Sequence, residues 1–410
     1  DKCHSFANNY NFETANSIQE ISENNSIDMV ILITPPNQRL ELIKEFSKAG
    51  KHILMEKPIE RSTKQAEEIV KICDKDNVML GIVFQHRFRE SSVKLKKLIE
   101  KTFTENEVAV VVGDQHVATE LLSHPFNHIL FTGSPETGKI IMVAAAKHLA
   151  GVTLELGGKS PVIVDESANV VETAWKLAFY KFANAGQTCT APDYILCHED
   201  KKEALVAGLK ENFTAFFDGN NTKQSKDYCQ IVTHAHFDRI KDYLDDAKKM
   251  GASVEIGGHT NKEDRFISPT VLSNVSLQSK VMKEEIFGPL MPIVTYKNLS
   301  EAIKFIGERE KPLALYLFSN NKKNQKRVLE ETSSGALVFN DCVIHHTNPN
   351  LPFGGINNSG LGSYHGKYGF DAFSHEKAIL KSASWSPFKL MLPPYTKRKH
   401  SLVNLIKKLS

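Results

Sequence analysis

From Asp28 to Phe84 the chain alternates short aliphatic runs with longer amphipathic stretches, and this rhythm limits the possible folds more than any other feature of the sequence. The runs are Met29-Val-Ile-Leu-Ile33, His52-Ile-Leu-Met55 and Val78-Met-Leu-Gly-Ile-Val-Phe84. Continuous aliphatic character suits strands covered on both faces, the condition of a parallel sheet packed between helices. Two stretches lie between them, one ending near Gly50 and one opening with Ser62 and Gln65 at capping-box spacing, and they read as the helices that return the chain. A βαβαβ unit is expected here, and an α/β protein overall.

Composition sets the outer limits. At 410 residues there is room for two or three domains, and 41% hydrophobic with 24% charged residues supplies core enough for a large α/β enzyme. A net charge of +3, with basic residues dispersed except near the C-terminus, makes nucleic acid an unexpected partner. The six cysteines (Cys3, Cys73, Cys189, Cys197, Cys229, Cys342) lie far apart with no close CxxC pair, so a reducing, cytoplasmic location is expected. No apolar run approaches the roughly 18 residues that cross a bilayer, and the polar start Asp1-Lys-Cys-His is unlike a signal peptide. Without an initiator methionine, the start is expected to have been lost or trimmed. Residues 397–409 join a basic cluster to an apolar helical face at Leu402, Leu405, Ile406 and Leu409. A docking helix accounts for this as well as a membrane-surface helix does, and membrane contact is not expected. His234-Ala-His236 and His345-His346 lack acidic or cysteine partners at zinc spacing, so no metal is expected.

One cysteine stands apart. Cys189 sits in Phe182-Ala-Asn-Ala-Gly-Gln-Thr-Cys-Thr-Ala-Pro-Asp193, where Ala185, Gly186 and Thr188 let backbone and substrate come close to the sulfur. Glu155 lies 34 positions upstream in Leu154-Glu-Leu-Gly-Gly-Lys-Ser-Pro161. A thiol adds to a carbonyl and leaves again from a thioester, and a carboxylate can draw a proton from water, so the pair reads as nucleophile and base. A free thiol has a pKa of about 8.5, so the site should favour the thiolate, and Cys189 should be the most reactive of the thiols. For an arbitrary cysteine the plainer reading is a small buried hydrophobe, with the glutamate a paired structural acid. A further segment, Phe131-Thr-Gly-Ser-Pro-Glu-Thr-Gly-Lys139, joins an apolar run to a helical stretch at 140–148. Strand, glycine turn and helix N-terminus make a cradle for pyrophosphate.

These segments resemble those of the aldehyde dehydrogenases, and the resemblance runs over about residues 102–395. It implies Cys189 as nucleophile, Glu155 as base, and contacts to NAD or NADP from Gly133, Ser134 and Gly138. In Glu284-Glu-Ile-Phe-Gly-Pro-Leu290 it gives Glu285 the nicotinamide ribose and Phe287 a place near the ring. Leu351-Pro-Phe-Gly-Gly-Ile-Asn-Asn-Ser-Gly360 and Ser363-Tyr-His-Gly-Lys-Tyr-Gly-Phe-Asp-Ala-Phe-Ser-His375 resemble the class 3 branch. That branch acts on medium and long aliphatic or aromatic aldehydes; Phe373 and nearby residues would line or close the site, and a homodimer is implied.

Residues 1–100 resemble another family, the Gfo/Idh/MocA oxidoreductases, through Ile33-Thr-Pro-Pro-Asn37 and Ala49-Gly-Lys-His-Ile-Leu-Met-Glu-Lys-Pro58. Lys57 would hold the place of that family's lysine beside the nicotinamide. The family's GxGxxG turn has no counterpart, because the first 27 residues contain no glycine. The aldehyde dehydrogenase resemblance likewise implies a Trp-Asn segment, whose asparagine donates to the oxyanion, and a Lys-Pro-Ser-type strand; neither motif occurs in this sequence. The expected fold is a parallel Rossmann-like half-sheet joined to an aldehyde-dehydrogenase-like cofactor and catalytic α/β fold. Its expected parts are 1–101, a partial nucleotide-binding domain; 102–156, a partial cofactor region; 157–358, a catalytic domain; and 359–410, an oligomerisation strand and tail. Strands at 29–33, 52–55 and 78–84 could extend a sheet continued at 108–112 and 128–131. The expected function is NAD(P)-dependent oxidation of an aldehyde through a cysteine thioester, impaired by the missing motifs. The alternatives are a sugar-type dehydrogenase using Lys57, and a catalytically silent binding or fusion protein.

Overall fold

The computed structural model describes residues 14–32, 38–56, 63–83, 97–99, 101–104, 106–111, 113, 115–217, 225–382, 384 and 392–409. The chain divides into two compact units, Asp1–Ser123 and His124–Ser410.

In the first unit, α1 (Ile18–Glu23) precedes β1 (Met29–Leu32), α2 (Arg39–Lys48), β2 (His52–Glu56), α3 (Thr63–Lys75) and β3 (Leu80–Val83). The strands form a parallel sheet in the order β1-β2-β3, the βαβαβ unit that the aliphatic runs predict. Val30, Leu32, Ile53 and Met55 meet Ile43 and Phe46 of α2 and Ile69 and Cys73 of α3 in one core. The helical spacings of three and four put each pair on one face, and each large side chain so buried contributes roughly 1.5–3 kcal/mol. Gly50, at φ +69°, ends α2 while the Lys51 amide returns to the Phe46 carbonyl at 2.9 Å, the hydrogen bond of a glycine-closed helix. Segment 33–37, Lys57, Pro58, Ser62 and Phe84 lie outside the described residues.

The second unit is built on a seven-stranded sheet. Its strands are β6 (Pro161–Val164), β7 (Tyr194–His198), β8 (Ser253–Ile256), β11 (Thr270–Ser273), β12 (Leu290–Tyr296), β13 (Ala314–Phe318) and β14 (Ala336–Phe339). Their order is β14-β13-β6-β7-β12-β11-β8, parallel throughout except for the antiparallel β8 edge. The two-residue period of the strands divides the buried side chains of the central strands between two cores. Ile163, Leu196, Leu315 and Leu317 pack with Phe237, Ile240 and Leu244 of α7 (His234–Lys249) and with Leu299, Ile303 and Ile306 of α8 (Leu299–Gly307). Val162, Val164, Ile195, Cys197, Tyr316 and Phe318 pack on the other face with Leu177 and Phe182 of α5 (Val170–Phe182) and Leu205, Leu209 and Phe213 of α6 (Lys202–Phe217). Helix α9 (Lys322–Glu331) adds Val328 to the first of these cores.

A smaller sheet of β4 (His128–Gly133), β5 (Gly151–Leu156) and β15 (Gly360–Leu361) has the order β15-β5-β4, with β4 and β5 parallel and β15 antiparallel. Strands β9 (Thr260–Asn261) and β10 (Phe266–Ile267) form a separate two-stranded ribbon. Two expectations change here. The apolar run 108–112 forms no strand over its described residues 108–111, and β1–β3 make a sheet of their own in place of an extension of β4. An aliphatic run becomes a strand only where a neighbour takes up its ladder hydrogen bonds, and propensity alone does not supply one.

Parallel topology concentrates the interesting residues at one end of the second unit. Glu155 lies at the C-terminal end of β5, which runs straight on through Gly157 and Gly158 to β6. The loop with Cys189 immediately precedes β7, residues 284–289 immediately precede β12, and residues 308–312 precede β13. Helix α4 (Pro135–Ala146) starts at the C-terminal end of β4. Helix α10 (Lys397–Leu409) closes the described chain.

Candidate active site

These chain ends enclose a cavity of about 1280 Å³, and Cys189, Glu155, Glu285, Phe287, Gly133 and Ser134 all line it.

Glu155 is held by strand pairing on both sides, opposite Thr132 of β4 and Gly360 of β15. It is 3% exposed, and among the described residues neither carboxylate oxygen has a hydrogen-bond partner. Burial alone pushes its carboxyl up to about 8. A desolvated carboxyl that keeps its proton at neutral pH and loses it just above is poised for acid–base work.

Cys189 follows a turn in which Asn184 (φ +51°), Ala185 (φ +51°) and Gly186 (φ +72°) are all left-handed. Reciprocal side-chain bonds fix the turn, from Asn184 Nδ2 to the Gln187 carbonyl and from Gln187 Nε2 to the Asn184 carbonyl, both 3.0 Å. Left-handed non-glycine residues persist only where their surroundings over-determine them, as these bonds do. Gly186 is required on a second count, because a Cβ there would stand 2.3 Å from the Gly288 carbonyl oxygen. The thiol loop therefore touches the 284–289 segment directly. Behind Cys189, the buried Tyr316 hydroxyl donates to the Thr190 carbonyl at 2.5 Å.

The thiol is half-buried and pushed up, first by burial and then by the charges of Glu155 and Glu285, while the amides of Thr190 and Cys189 itself act in the opposite direction. This corrects the expectation of a stabilised thiolate: burial and the two carboxylates outweigh the two amides. It also changes the expected order of reactivity. Cys73, Cys197 and Cys342 are buried, whereas Cys229 is exposed. Among the described cysteines, brief alkylation without added nucleotide should therefore label Cys229 first, Cys189 next and the three buried thiols last, as read by peptide mass mapping. Labelling of a buried thiol ahead of Cys189 would mean that the loop is not formed as described.

Glu285 lies against the Gly157–Gly158 turn. A Cβ on Gly157 would stand 1.8 Å from Glu285 Oε2, so glycine is needed for the carboxylate to rest there. Burial, and then the Asp193 charge, push the Glu285 carboxyl up to about 7, against the pull of the Gly158 amide, Lys159 and Arg239. Phe287 is left-handed at φ +41°.

The glycine segment of β4 and α4 is arranged differently from the loop that its sequence suggests. Ser134 is the N-cap of α4, its Oγ accepting the Thr137 amide at 3.3 Å, and Pro135 occupies the first turn. Gly138 is already inside the helix and buried, where a Cβ would meet Leu156 Cδ2 at 2.7 Å, and it does not line the cavity. Gly133 and Ser134 thus stand at the cavity wall, with Gly138 behind them as the position that lets α4 approach β5. Phe373 is 56% exposed and packs on His128 with ring centroids 4.7 Å apart, outside the cavity.

Sequence reasoning did not single out Phe353 and Tyr364, which line the cavity from the chain's last third. Burial and the charges of Glu155 and Cys189 push the Tyr364 phenol up. Lys159 and Asp193 lie inside the two quoted motifs, but their meeting is a long-range event with no local signal. Lys57 lies outside the described residues, and among the described residues no group of three or more His, Cys, Asp or Glu could hold a metal ion. No helix among them is long and apolar enough to cross a membrane.

Comparison with known proteins finds relatives for both parts of the chain. Residues 89–379 match the family described as "Aldehyde dehydrogenase family", and residues 1–84 match "Oxidoreductase family, NAD-binding Rossmann fold". The chain is 46% identical over 301 residues to 4,4'-diaponeurosporen-aldehyde dehydrogenase of Staphylococcus aureus, covering 73% of this chain and 65% of that protein. It is 50% identical over 286 residues to "Aldehyde dehydrogenase, dimeric NADP-preferring" of Rattus norvegicus, covering 70% of this chain and 62% of the relative. The solved structure "Substrate bound state of Staphylococcus Aureus AldH" superposes with a TM-score of 0.72 at 39% identity, covering 92% of this chain and 76% of that one. The chain thus spans a little under two thirds of the length of the curated relatives it matches.

Proposed function

The chain belongs to the aldehyde dehydrogenase family, and from that premise we propose that it oxidises an aldehyde to the carboxylic acid with NAD+ or NADP+, with Cys189 as nucleophile and Glu155 as base. The observation that carries the reading is that Cys189, Glu155, Glu285 and Phe287 line one cavity although they come from three separate strand ends.

The residues present fit a dinucleotide. The capped N-terminus of α4 offers amides and a dipole to a phosphate, and Glu285 offers a carboxylate to a ribose diol. Gly133 and Ser134 would hold the pyrophosphate, Glu285 and Phe287 the nicotinamide end, and Gly138 would act from behind by seating α4. The chemistry that NAD(P)+ supplies when bound is acceptance of the hydride expelled from the aldehyde carbon.

The chain's own part begins when the Cys189 thiol gives its proton to solvent; the resulting thiolate forms a C–S bond to the aldehyde carbon as the carbonyl π electrons move to oxygen. The Cys189 amide is the donor at hand for that oxygen. Loss of one oxyanion donor typically costs about 100- to 1000-fold in rate, so the position of that amide matters to the chemistry. Once the carbon stands at the thioester level, ionised Glu155 takes a proton from water, the hydroxide adds, and the C–S bond breaks to return the thiolate and release the acid.

The test is NAD(P)H formation with a panel of medium and long aliphatic and aromatic aldehydes and either nucleotide. Nucleotide binding without turnover on any aldehyde would favour the second reading, a silent binding or fusion protein. Lys57→Ala should leave aldehyde oxidation nearly unchanged. A fall of more than about 100-fold, near 2.7 kcal/mol of barrier, would instead bring the first unit into the chemistry. A homodimer is the proposed assembly, supported by the rat relative named dimeric, and a cytoplasmic compartment is supported by the five free thiols among the described cysteines.

A further inference from the structure

We propose that Asp193 is a positioning residue which, with Lys159 and Arg239, ties the 284–286 backbone to the thiol loop and so sets where Glu285 and Phe287 stand relative to Cys189. The proposal rests on the reading that Glu285 and Phe287 hold NAD(P)+.

Asp193 is buried four residues after Cys189, and its own amide is fixed to the Ser160 carbonyl at 2.8 Å. One carboxylate oxygen accepts the Ile286 amide at 2.9 Å; the other accepts Lys159 Nζ. Lys159 in turn donates to the carbonyls of Val281 and Glu284, both at 2.8 Å. From α7, Arg239 donates to the Glu285 and Ile286 carbonyls, both at 3.0 Å, and Tyr243 donates to the Glu284 carboxylate at 2.5 Å. Four backbone polar groups on three consecutive residues are thus held by three charged side chains from three different parts of the unit. Such charge-assisted bonds are stronger than neutral ones and have a defined direction.

The segment needs this grip. It is irregular backbone between a single helical turn, Lys280–Lys283, and β12, and Phe287 sits in the left-handed region that a bulky residue occupies only under constraint. Asp193 also answers a charge problem. Lys181 is fully buried, and burial and the neighbouring Lys159 pull its ammonium down to about 8 while Asp193 acts to raise it. Without Asp193 the two lysines would face each other across a buried space.

The full chain is compared with Asp193→Ala, Asp193→Asn and Arg239→Met by two measurements: equilibrium binding of NAD+ and NADP+, and amide hydrogen exchange of the peptide spanning 281–289 without nucleotide. Asp193→Ala and Arg239→Met should each weaken nucleotide binding about ten-fold and raise exchange in that peptide while the central strands stay protected. Asp193→Asn, which keeps an acceptor for the Ile286 amide, should recover part of the protection; a role limited to packing would not separate asparagine from alanine in this way. If Asp193→Ala fails to fold, Arg239→Met carries the test from the opposite side of the segment. Folded variants with unchanged binding and unchanged exchange would overturn the proposal. A parent chain that binds neither nucleotide would defeat the functional reading instead, and the exchange data would still decide whether Asp193 positions the segment.

Discussion

Cys189→Ala should abolish aldehyde-dependent NAD(P)H formation, with a loss on the order of 10⁴-fold or more, because among the described cysteines no other lines the cavity, and a thiol both adds to the aldehyde carbon and leaves again from the thioester. The only other sulfur among the described cysteines that is open to solvent, Cys229, is absent from the cavity wall. The substitution removes one half-buried sulfur and leaves the turn bonds of Asn184 and Gln187 in place, so nucleotide affinity and thermal stability should stay near those of the parent. Steady-state rates and nucleotide titration on the two proteins decide the matter. Turnover surviving in the alanine variant at a tenth of the parent rate would remove Cys189 from the chemistry.

Glu155→Gln should impair release of the acyl group more than its formation, by about 10²- to 10⁴-fold, since the carboxylate is assigned the proton taken from water. Rapid mixing should show one fast equivalent of NAD(P)H and then slow turnover. Loss of both the fast phase and Cys189 alkylation would instead make Glu155 the activator of the thiol. The pH profile adds an independent check: the parent's rate should rise through about pH 8 as Glu155 ionises, and that limb should vanish in the glutamine variant. Stability should move in the opposite direction. The folded chain keeps the Glu155 proton to about 8, while the unfolded chain gives it up near the ordinary value of 4.5, so the folded state binds more protons between those limits. Stability from this group is present below the lower value and lost as pH rises to the upper one. Thermal midpoints of Glu155→Gln and the parent should therefore diverge in favour of glutamine as pH rises, and level off above about 8.

Much of this fold could be read before any coordinates. The aliphatic runs around Val30, Ile53 and Ile82 become strands because each is one step of a parallel sheet whose helices are also visible in sequence. The run at 108–112 has the same composition and no ladder over its described residues 108–111, since composition does not reveal whether a neighbour exists. Ser134 and Pro135 carry a clear helix-start signal, yet the glycine spacing suggested a longer turn and placed Gly138 in it. Cys189, Glu155, Glu285 and Phe287 were legible as motifs, but their common cavity was not, because strand order alone brings their loops together. The raised Cys189 thiol and the grip on residues 284–286 were hidden for the same reason: Arg239 stands 46 positions from Glu285 on a helix whose pattern marks only a buried face.

The smaller sheet bears on how the protein must be handled. Strand β4 pairs with β5 on one side and with no other strand among the described residues, while Leu130 on it and Ile140, Met142 and Val143 on α4 are exposed. An unpaired strand edge beside an apolar helix face is a template for other chains. The same edge carries Gly133, the residue proposed to hold the nucleotide, so inactive aggregate and lost cofactor binding are expected to rise together with protein concentration. Dilute samples, or a charged substitution at the rim of β4, will be where the chemistry of Cys189 can be measured on single molecules of the chain.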